Sequence, residues 1–204
     1  ETACWLILAA GVFDILDGKV ARLTNSFSDL GAQLDSLADA VTFGVAPAMV
    51  AKVLLEHEGL IHSRVHFICA ASFSLMVVLR LARFNAEGDD EHSEFSGLPS
   101  PAAAGMIASL VLVLSKVMKS ADQKDPFEQA VQAWSWSLLP LMLIISFLMI
   151  SNVRFPSFKK LDWTARARTR VFILIIIAGF IIFRYPQFSF PAVFLGYISY
   201  SIFR

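Results

Sequence analysis

The chain has 204 residues, 56% of them hydrophobic, with 17 basic and 17 acidic side chains and a formal net charge of zero. A soluble domain averages about 45–50% apolar residues, and the excess here comes in long blocks, so the composition argues for an integral membrane protein and against a soluble domain. The charge balance supplies no overall field for nucleic acid, and the two cysteines, Cys4 and Cys69, sit inside apolar runs where they read as small buried hydrophobes rather than a disulfide scaffold.

A helix that crosses the bilayer needs about 20 mostly apolar residues. Seven segments approach this length: roughly 3–22, 34–55, 64–84, 101–118, 132–153, 170–184 and 189–203. The last two are short enough to tilt or to lie partly in the interface. Alternating runs of the kind a membrane barrel needs do not recur, so strands are not expected. The fold class that follows is an all-α integral membrane protein, a bundle of about seven transmembrane helices. The chain opens on ETACWLIL, with neither an initiator Met nor the basic region of a signal peptide, and an additional N-terminal helix is expected upstream.

The connections carry the polar residues. EHEGLIHSR follows the second segment, the acidic NAEGDDEHSEFSGLPSP the third, and KSADQKDPFEQ the fourth. The fifth, RFPSFKKLDWTARARTR, is basic through Arg154, Lys159, Lys160, Arg166, Arg168 and Arg170. The positive-inside rule places it in the cytoplasm, and counting back two helices at a time places the first and third connections there too. Lys19, Arg22, Arg80 and Arg83 agree with that orientation. Phe155, Phe158 and Trp163 interleave with the basic residues as in an interfacial segment, and an ordinary juxtamembrane anchor is the plainer reading of the same pattern.

Between the first two apolar runs lies FDILDGKVARLTNSFSDLGAQLDSLAD. Asp14, Asp17, Gly18 and Ala21 fall at i, i+3, i+4 and i+7, which puts two acids and two minimal side chains on one helix face. Asp35 and Asp39 are four apart on another face, with Gly31 one turn before. Two neighbouring helices would thus aim four carboxylates at one point. Each Asp costs about 2.5–3.5 kcal/mol at the bilayer centre, and converging anions repel unless positive charge is supplied. An all-oxygen ligand set suits a hard cation, Mg²⁺, Mn²⁺ or Ca²⁺, and four carboxylates suit two such ions. A solvated acidic loop is the plain alternative, and the helical spacing beside Gly and Ala weighs against it. An EF-hand does not fit, because the acids are not at alternate loop positions and no Glu closes the loop.

This stretch resembles the signature of the CDP-alcohol phosphotransferases, D-x2-D-G-x2-A-R-x8-G-x3-D-x3-D. Every fixed position is present, as Asp14, Asp17, Gly18, Ala21, Arg22, Gly31, Asp35 and Asp39. The resemblance implies that Asp14, Asp17 and Asp35 hold one divalent ion, that Asp14, Asp35 and Asp39 hold a second, and that Asp39 is also the general base. It further implies that Gly18, Ala21, Arg22 and Ser28 border the CDP-lipid. Arg22 has the chemistry for this, because a guanidinium forks onto a diphosphate.

The acceptor is narrowed by other stretches. LDSLADAVTFGVAPA, RLARFN, FSGLPSPAAAG and SNVRFPSFK resemble the CDP-diacylglycerol–serine O-phosphatidyltransferases, over about residues 3–160. The implied substrates are CDP-diacylglycerol, or an ether-lipid analogue, and L-serine, with CMP released. The implied setting is the cell (inner) membrane, with the active site open to the cytoplasm and a homodimeric assembly. Residues 1–160 would form the catalytic membrane domain and 161–204 the C-terminal helices packed on it. Arg80, Arg83, Asn85 and Ser100 are candidates for binding serine or a phosphate. A membrane-level arginine usually has a partner, and a structural ion pair is an equal reading for the two arginines. Ser100 before Pro101 reads as a helix N-cap and first helical residue.

His57, His62, His66 and His92 fall in or near connections. His62 and His66 are an i, i+4 pair, but no third metal ligand accompanies them. The H-x-K-x4-D setting of the phospholipase-D-like serine transferases does not occur, which argues against a histidine nucleophile. Three other functions remain beside serine transfer: a sister enzyme using glycerol 3-phosphate or inositol, a divalent-cation carrier or channel, and a lipid-binding scaffold. The carrier or channel leaves Gly18, Ala21 and Arg22 unexplained.

Overall fold

The computed structural model describes residues 1–24, 28–57, 63–87, 94–120, 136–156, 184 and 186–203. Helix α1 (Thr2–Thr24) is followed by α2 (Asp29–Asp39), a π-helical turn (Ala40–Val45), α3 (Ala46–His57) and α4 (Ser63–Glu87). Strand β1 (Glu94–Ser96) precedes α5 (Ser100–Ser120), α6 (Leu138–Ile150), strand β2 (Arg154–Pro156) and α7 (Pro186–Phe203). Among the described residues the architecture is helical apart from one ribbon of two three-residue strands.

Among the described residues three runs are long and apolar enough to cross a membrane: Leu30–Glu56, Ser63–Ala86 and Ser100–Val117. Helix α1 has the length, at 23 residues, but Asp14, Asp17, Lys19 and Arg22 interrupt its apolar character. Helix α6 is apolar throughout and, at 13 residues, falls short of a span. Most of the expected segment 170–184, and the basic stretch that holds Lys159, Lys160, Arg166, Arg168 and Arg170, lie outside the described residues.

The centre of the bundle is α5. In its apolar window 61% of residues are buried, against 28% in each of the other two spans. Small residues allow this: Ala103, Ala104, Ala108 and Ser109 are fully buried, and they let neighbouring backbones approach closely. Gly105 lies under the ring of Phe194 from α7, so closely that any Cβ there would collide with it. Helix α4 buries one stripe, His66, Cys69, Ala70, Phe73, Val77 and Leu81, at the spacing of a helix face. Its other faces expose Phe67, Ile68, Leu75 and Leu79, which a hydrocarbon environment accommodates. Cys4 and Cys69 are both buried and free.

The second apolar segment begins earlier than its hydropathy predicts, at Asp29 instead of about residue 34. The cause is Ser28. Its backbone is extended, and its hydroxyl accepts a hydrogen bond from the Gly31 N–H at 3.1 Å, a serine N-cap. Ser28→Ala is expected to lower stability by about 1 kcal/mol while Ser28→Asp retains it, read as thermal unfolding in detergent.

The run then widens into the π-helical turn directly after Asp39. Pro47 brings no N–H and, in a regular α-helix, would press its ring on the carbonyl four residues back, which is that of Phe43. The wider turn relieves that contact. Its Gly44 carbonyl accepts from the Ser74 hydroxyl of α4 at 3.3 Å. Gly44 packs flat on α4, where an added Cβ would lie 3.2 Å from Val77.

The ribbon was not foreseen from the sequence, where both strands read as connection. It pairs antiparallel in the register Glu94 with Pro156, Phe95 with Phe155 and Ser96 with Arg154. Two bonds continue it, Gly97 N–H to Val153 O at 2.9 Å and Leu98 N–H to Leu148 O at 3.2 Å. The entry to α5 is thereby clipped to the exit of α6. Phe155 is fully buried, with its ring 5.7 Å from that of Tyr197 on α7.

Candidate active site

The end of the bundle formed by α1, α2 and α4 holds the acidic cluster. Asp14 of α1 meets Asp35 and Asp39 of α2, with one carboxylate oxygen from each lying within 4.8 Å of the others. Asp14 and Asp39 are partly buried, and Asp35 is exposed. Asp17, one turn after Asp14, is exposed and is not in that group. The helices bring these residues together because Asp35 and Asp39 share a face of α2 at four-residue spacing, and the Ser28 cap fixes where that helix begins. Donor chemistry decides what such a cluster suits. Three carboxylates at this separation form an all-oxygen, anionic set that fits a divalent hard cation.

Around the cluster the surface is lean. Gly18 has open space where a Cβ would stand, and an added Cβ at Gly31 would lie 2.9 Å from Ser28 Oγ. Ala21 and Arg22 belong to the last turns of α1.

The positive side comes from α4. Arg80 donates from Nη1 to Ser100 Oγ at 2.9 Å, and its Nε is buried with no hydrogen-bond partner among the described residues. The charges of Arg80 and Asp39 act on each other, and the Tyr197 phenol of α7 lies in the same field. Ser100 is buried and accepts from this arginine. The cap position of α5 belongs to Pro99, whose carbonyl accepts from the Ala103 N–H at 3.0 Å. The expected N-cap is therefore displaced by one residue, and the Ser100 hydroxyl holds Arg80 instead.

Arg83, one turn on, reaches the end of α6, donating from Nη1 to Ile150 O at 3.3 Å and from Nη2 to Asn152 Oδ1 at 3.3 Å. A cation on the last carbonyls of a helix is favourable there. Asn85 donates to Ser36 Oγ at 3.0 Å, which ties the end of α4 to the turn of α2 between Asp35 and Asp39. Two of the four candidates for acceptor binding thus hold the scaffold around the acids. Sequence reasoning singles out none of Ser36, Asn152 and Tyr197. Ser36 had one usable signal, a hydroxyl adjacent to Asp35 in a membrane-level helix. Tyr197 had none, since the final helix is separated from the motif by most of the chain.

Of the histidines, His62 and His92 lie outside the described residues, and only the backbone of His57 is described. His66 is buried in α4, and neither ring nitrogen has a hydrogen-bond partner among the described residues.

Comparison with known proteins agrees with the motif. A family model described as CDP-alcohol phosphatidyltransferase matches residues 1–146. A relative from Helicobacter pylori is 35% identical over 204 residues, covering 99% of this chain and 78% of its own length. One from Bacillus subtilis is 34% identical over 161 residues, covering 76% of this chain and 75% of its own. One from Methanocaldococcus jannaschii is 35% identical over 156 residues, covering 75% and 63%. Each of the three is named CDP-diacylglycerol–serine O-phosphatidyltransferase. Motif, acidic cluster, membrane-crossing helices and family match coincide, and the chain belongs to the CDP-alcohol phosphatidyltransferase family.

Proposed function

We propose that this membrane protein transfers the phosphatidyl group of CDP-diacylglycerol to the hydroxyl of L-serine, giving phosphatidylserine and CMP. The observation that carries this reading is the meeting of Asp14 with Asp35 and Asp39 in a chain whose relatives bear the name of that activity. Family membership favours transfer over a divalent-cation carrier or channel. The relatives' names favour serine over glycerol 3-phosphate or inositol.

The chemistry is a single displacement at the phosphorus that carries diacylglycerol. The serine hydroxyl oxygen forms the new bond to phosphorus as the bridging bond of the pyrophosphate breaks, and CMP leaves with that electron pair. Asp39 accepts the hydroxyl proton. Asp14, Asp17 and Asp35 would hold one divalent cation, and Asp14, Asp35 and Asp39 a second, with Mg²⁺ or Mn²⁺ as the working ions. Bound there, the cations supply charge stabilisation to the pyrophosphate oxygens. Gly18 and Ala21 leave room for the nucleotide to approach α1, Arg22 pairs with the diphosphate, and Ser28 borders the same substrate. Arg80, held by Ser100, offers its unpaired Nε–H to the serine carboxylate. Arg83 and Asn85 keep α6 and α2 in position around it.

In this reading the site opens to the cytoplasm from the cell membrane. Residues 1–160 form the catalytic unit, 161–204 complete a bundle of about seven spans, and the protein works as a homodimer. The test is direct. Purified protein with CDP-diacylglycerol and Mg²⁺ is expected to release CMP with L-serine and far less with glycerol 3-phosphate or inositol. Removing divalent ions with a chelator should stop release, and Mn²⁺ or Mg²⁺ should restore it. CMP formation independent of serine, or divalent-ion flux without CMP, would exclude the proposal.

A further inference from the structure

The far end of α3 and α4 from the aspartates holds a cavity of about 420 Å³, lined by Lys52, Ser63, Arg64, Phe67 and Ile68. Thirteen residues separate Asp39 from Lys52 and sixteen separate Arg64 from Arg80, so the cavity is roughly 20–24 Å along the helices from the acids. Helices α3 and α4 are neighbours, and the cavity lies where one candidate membrane span ends at Glu56 and the next begins at Ser63, the end of both spans away from the acids.

Its polar rim is organised by one carboxylate. Glu56 accepts from Lys52 Nζ at 3.0 Å and from the Ser63 hydroxyl. That pairing offsets one positive charge and uses one of the three ammonium donors. Arg64 makes no hydrogen bond or ion pair among the described residues, so among those residues Lys52, Glu56 and Arg64 leave one positive charge, with the five N–H donors of Arg64 to present it. It is also the second residue of α4, where the free N–H groups of the first turn add positive potential and a cation is unfavourable unless an anion meets it. Phe67 and Ile68 stand three and four residues further on, each 61% exposed, and share a face with Arg64. A cationic rim therefore borders an apolar wall at the membrane interface.

We propose that this cavity binds the phosphodiester headgroup of an anionic phospholipid in the leaflet opposite the active site. The phosphate oxygens accept from Arg64 and from the remaining Lys52 donors, and an acyl chain covers Phe67 and Ile68. An anionic headgroup is preferred because a zwitterionic one carries its own ammonium group towards Lys52 and Arg64, while Glu56 is already engaged. This site is separate from the CDP-lipid site and does not depend on the reaction assigned to the acids.

The full chain in neutral detergent, without CDP-lipid, is titrated with phosphatidylglycerol, phosphatidylcholine or inorganic phosphate, and bound molecules are counted by native mass spectrometry. Phosphatidylglycerol should saturate one site, with phosphatidylcholine and inorganic phosphate at least about tenfold weaker. Arg64→Gln should weaken phosphatidylglycerol by about tenfold, the loss of one charge-assisted contact, and leave CMP release from micellar substrate unchanged. Equal retention of phosphatidylglycerol and phosphatidylcholine would mean that the rim only meets bulk lipid, and the proposal falls. It falls equally if Arg64→Gln binds phosphatidylglycerol as wild type does, or if Asp14→Asn and not Arg64→Gln abolishes binding.

Discussion

Asp39→Asn is expected to reduce CMP release by about a thousandfold or more, while binding of CDP-diacylglycerol stays measurable. The substitution keeps the shape of the side chain and removes its capacity to accept the serine proton. It also removes one anion from the three that meet at the site, so divalent-ion affinity should fall with it. Arg80 remains anchored to Ser100 in the variant, and the scaffold around the acids is undisturbed. The check is a paired measurement, CMP release at saturating Mg²⁺ and equilibrium binding of labelled CDP-lipid. A variant that turns over within tenfold of wild type would remove Asp39 from the base role, and one that no longer binds CDP-lipid would make its role one of binding.

The second large effect concerns the scaffold. Gly97 has φ of +81° and packs on the backbone carbonyl of Met149, closely enough that any Cβ would clash with it. A side chain there faces both a left-handed backbone and an occupied space, and neither neighbour is a flexible tip that moves aside. Gly97→Ala should cost about 3 kcal/mol from the two effects together. The loss would appear as a lower unfolding temperature in detergent. Activity should fall in parallel, because the ribbon that Gly97 ends also fixes the entry to α5, where Ser100 holds Arg80. Unaltered thermal stability would show that the clip between α5 and α6 contributes little.

The acids were legible because their signal is local. Asp14 and Asp17 are spaced for one helix, Asp35 and Asp39 for another, and a connection of a few residues leaves neighbouring helices few ways to avoid each other. The spacing predicts four carboxylates at one point; Asp14, Asp35 and Asp39 do meet, and Asp17 lies outside the tight group. The helix cores of α4 and α5 were legible from hydropathy, to within a few residues at their ends. Two kinds of feature were hidden. Strands of three residues are too short to show a period, and their partners are far apart in the chain. The engagement of Arg83 with Ile150 and Asn152 depends on where α6 ends, which no local pattern around Arg83 encodes. Ser28 carried an ambiguity of its own, since the same hydroxyl that matches a substrate-contacting position also begins α2.

The wide turn after Asp39 has a consequence for how firmly the ligand set is aimed. One residue corresponds to about 100° of rotation along an α-helix, so a turn that holds more residues than usual acts as a phase offset between α2 and α3. Near its α3 end the turn is keyed to α4 through Gly44 and Ser74, while the azimuth of Asp35 and Asp39 is set before the turn begins. Losing one residue from Ala40–Val45 would swing both carboxylates away from Asp14 without altering a single acidic side chain.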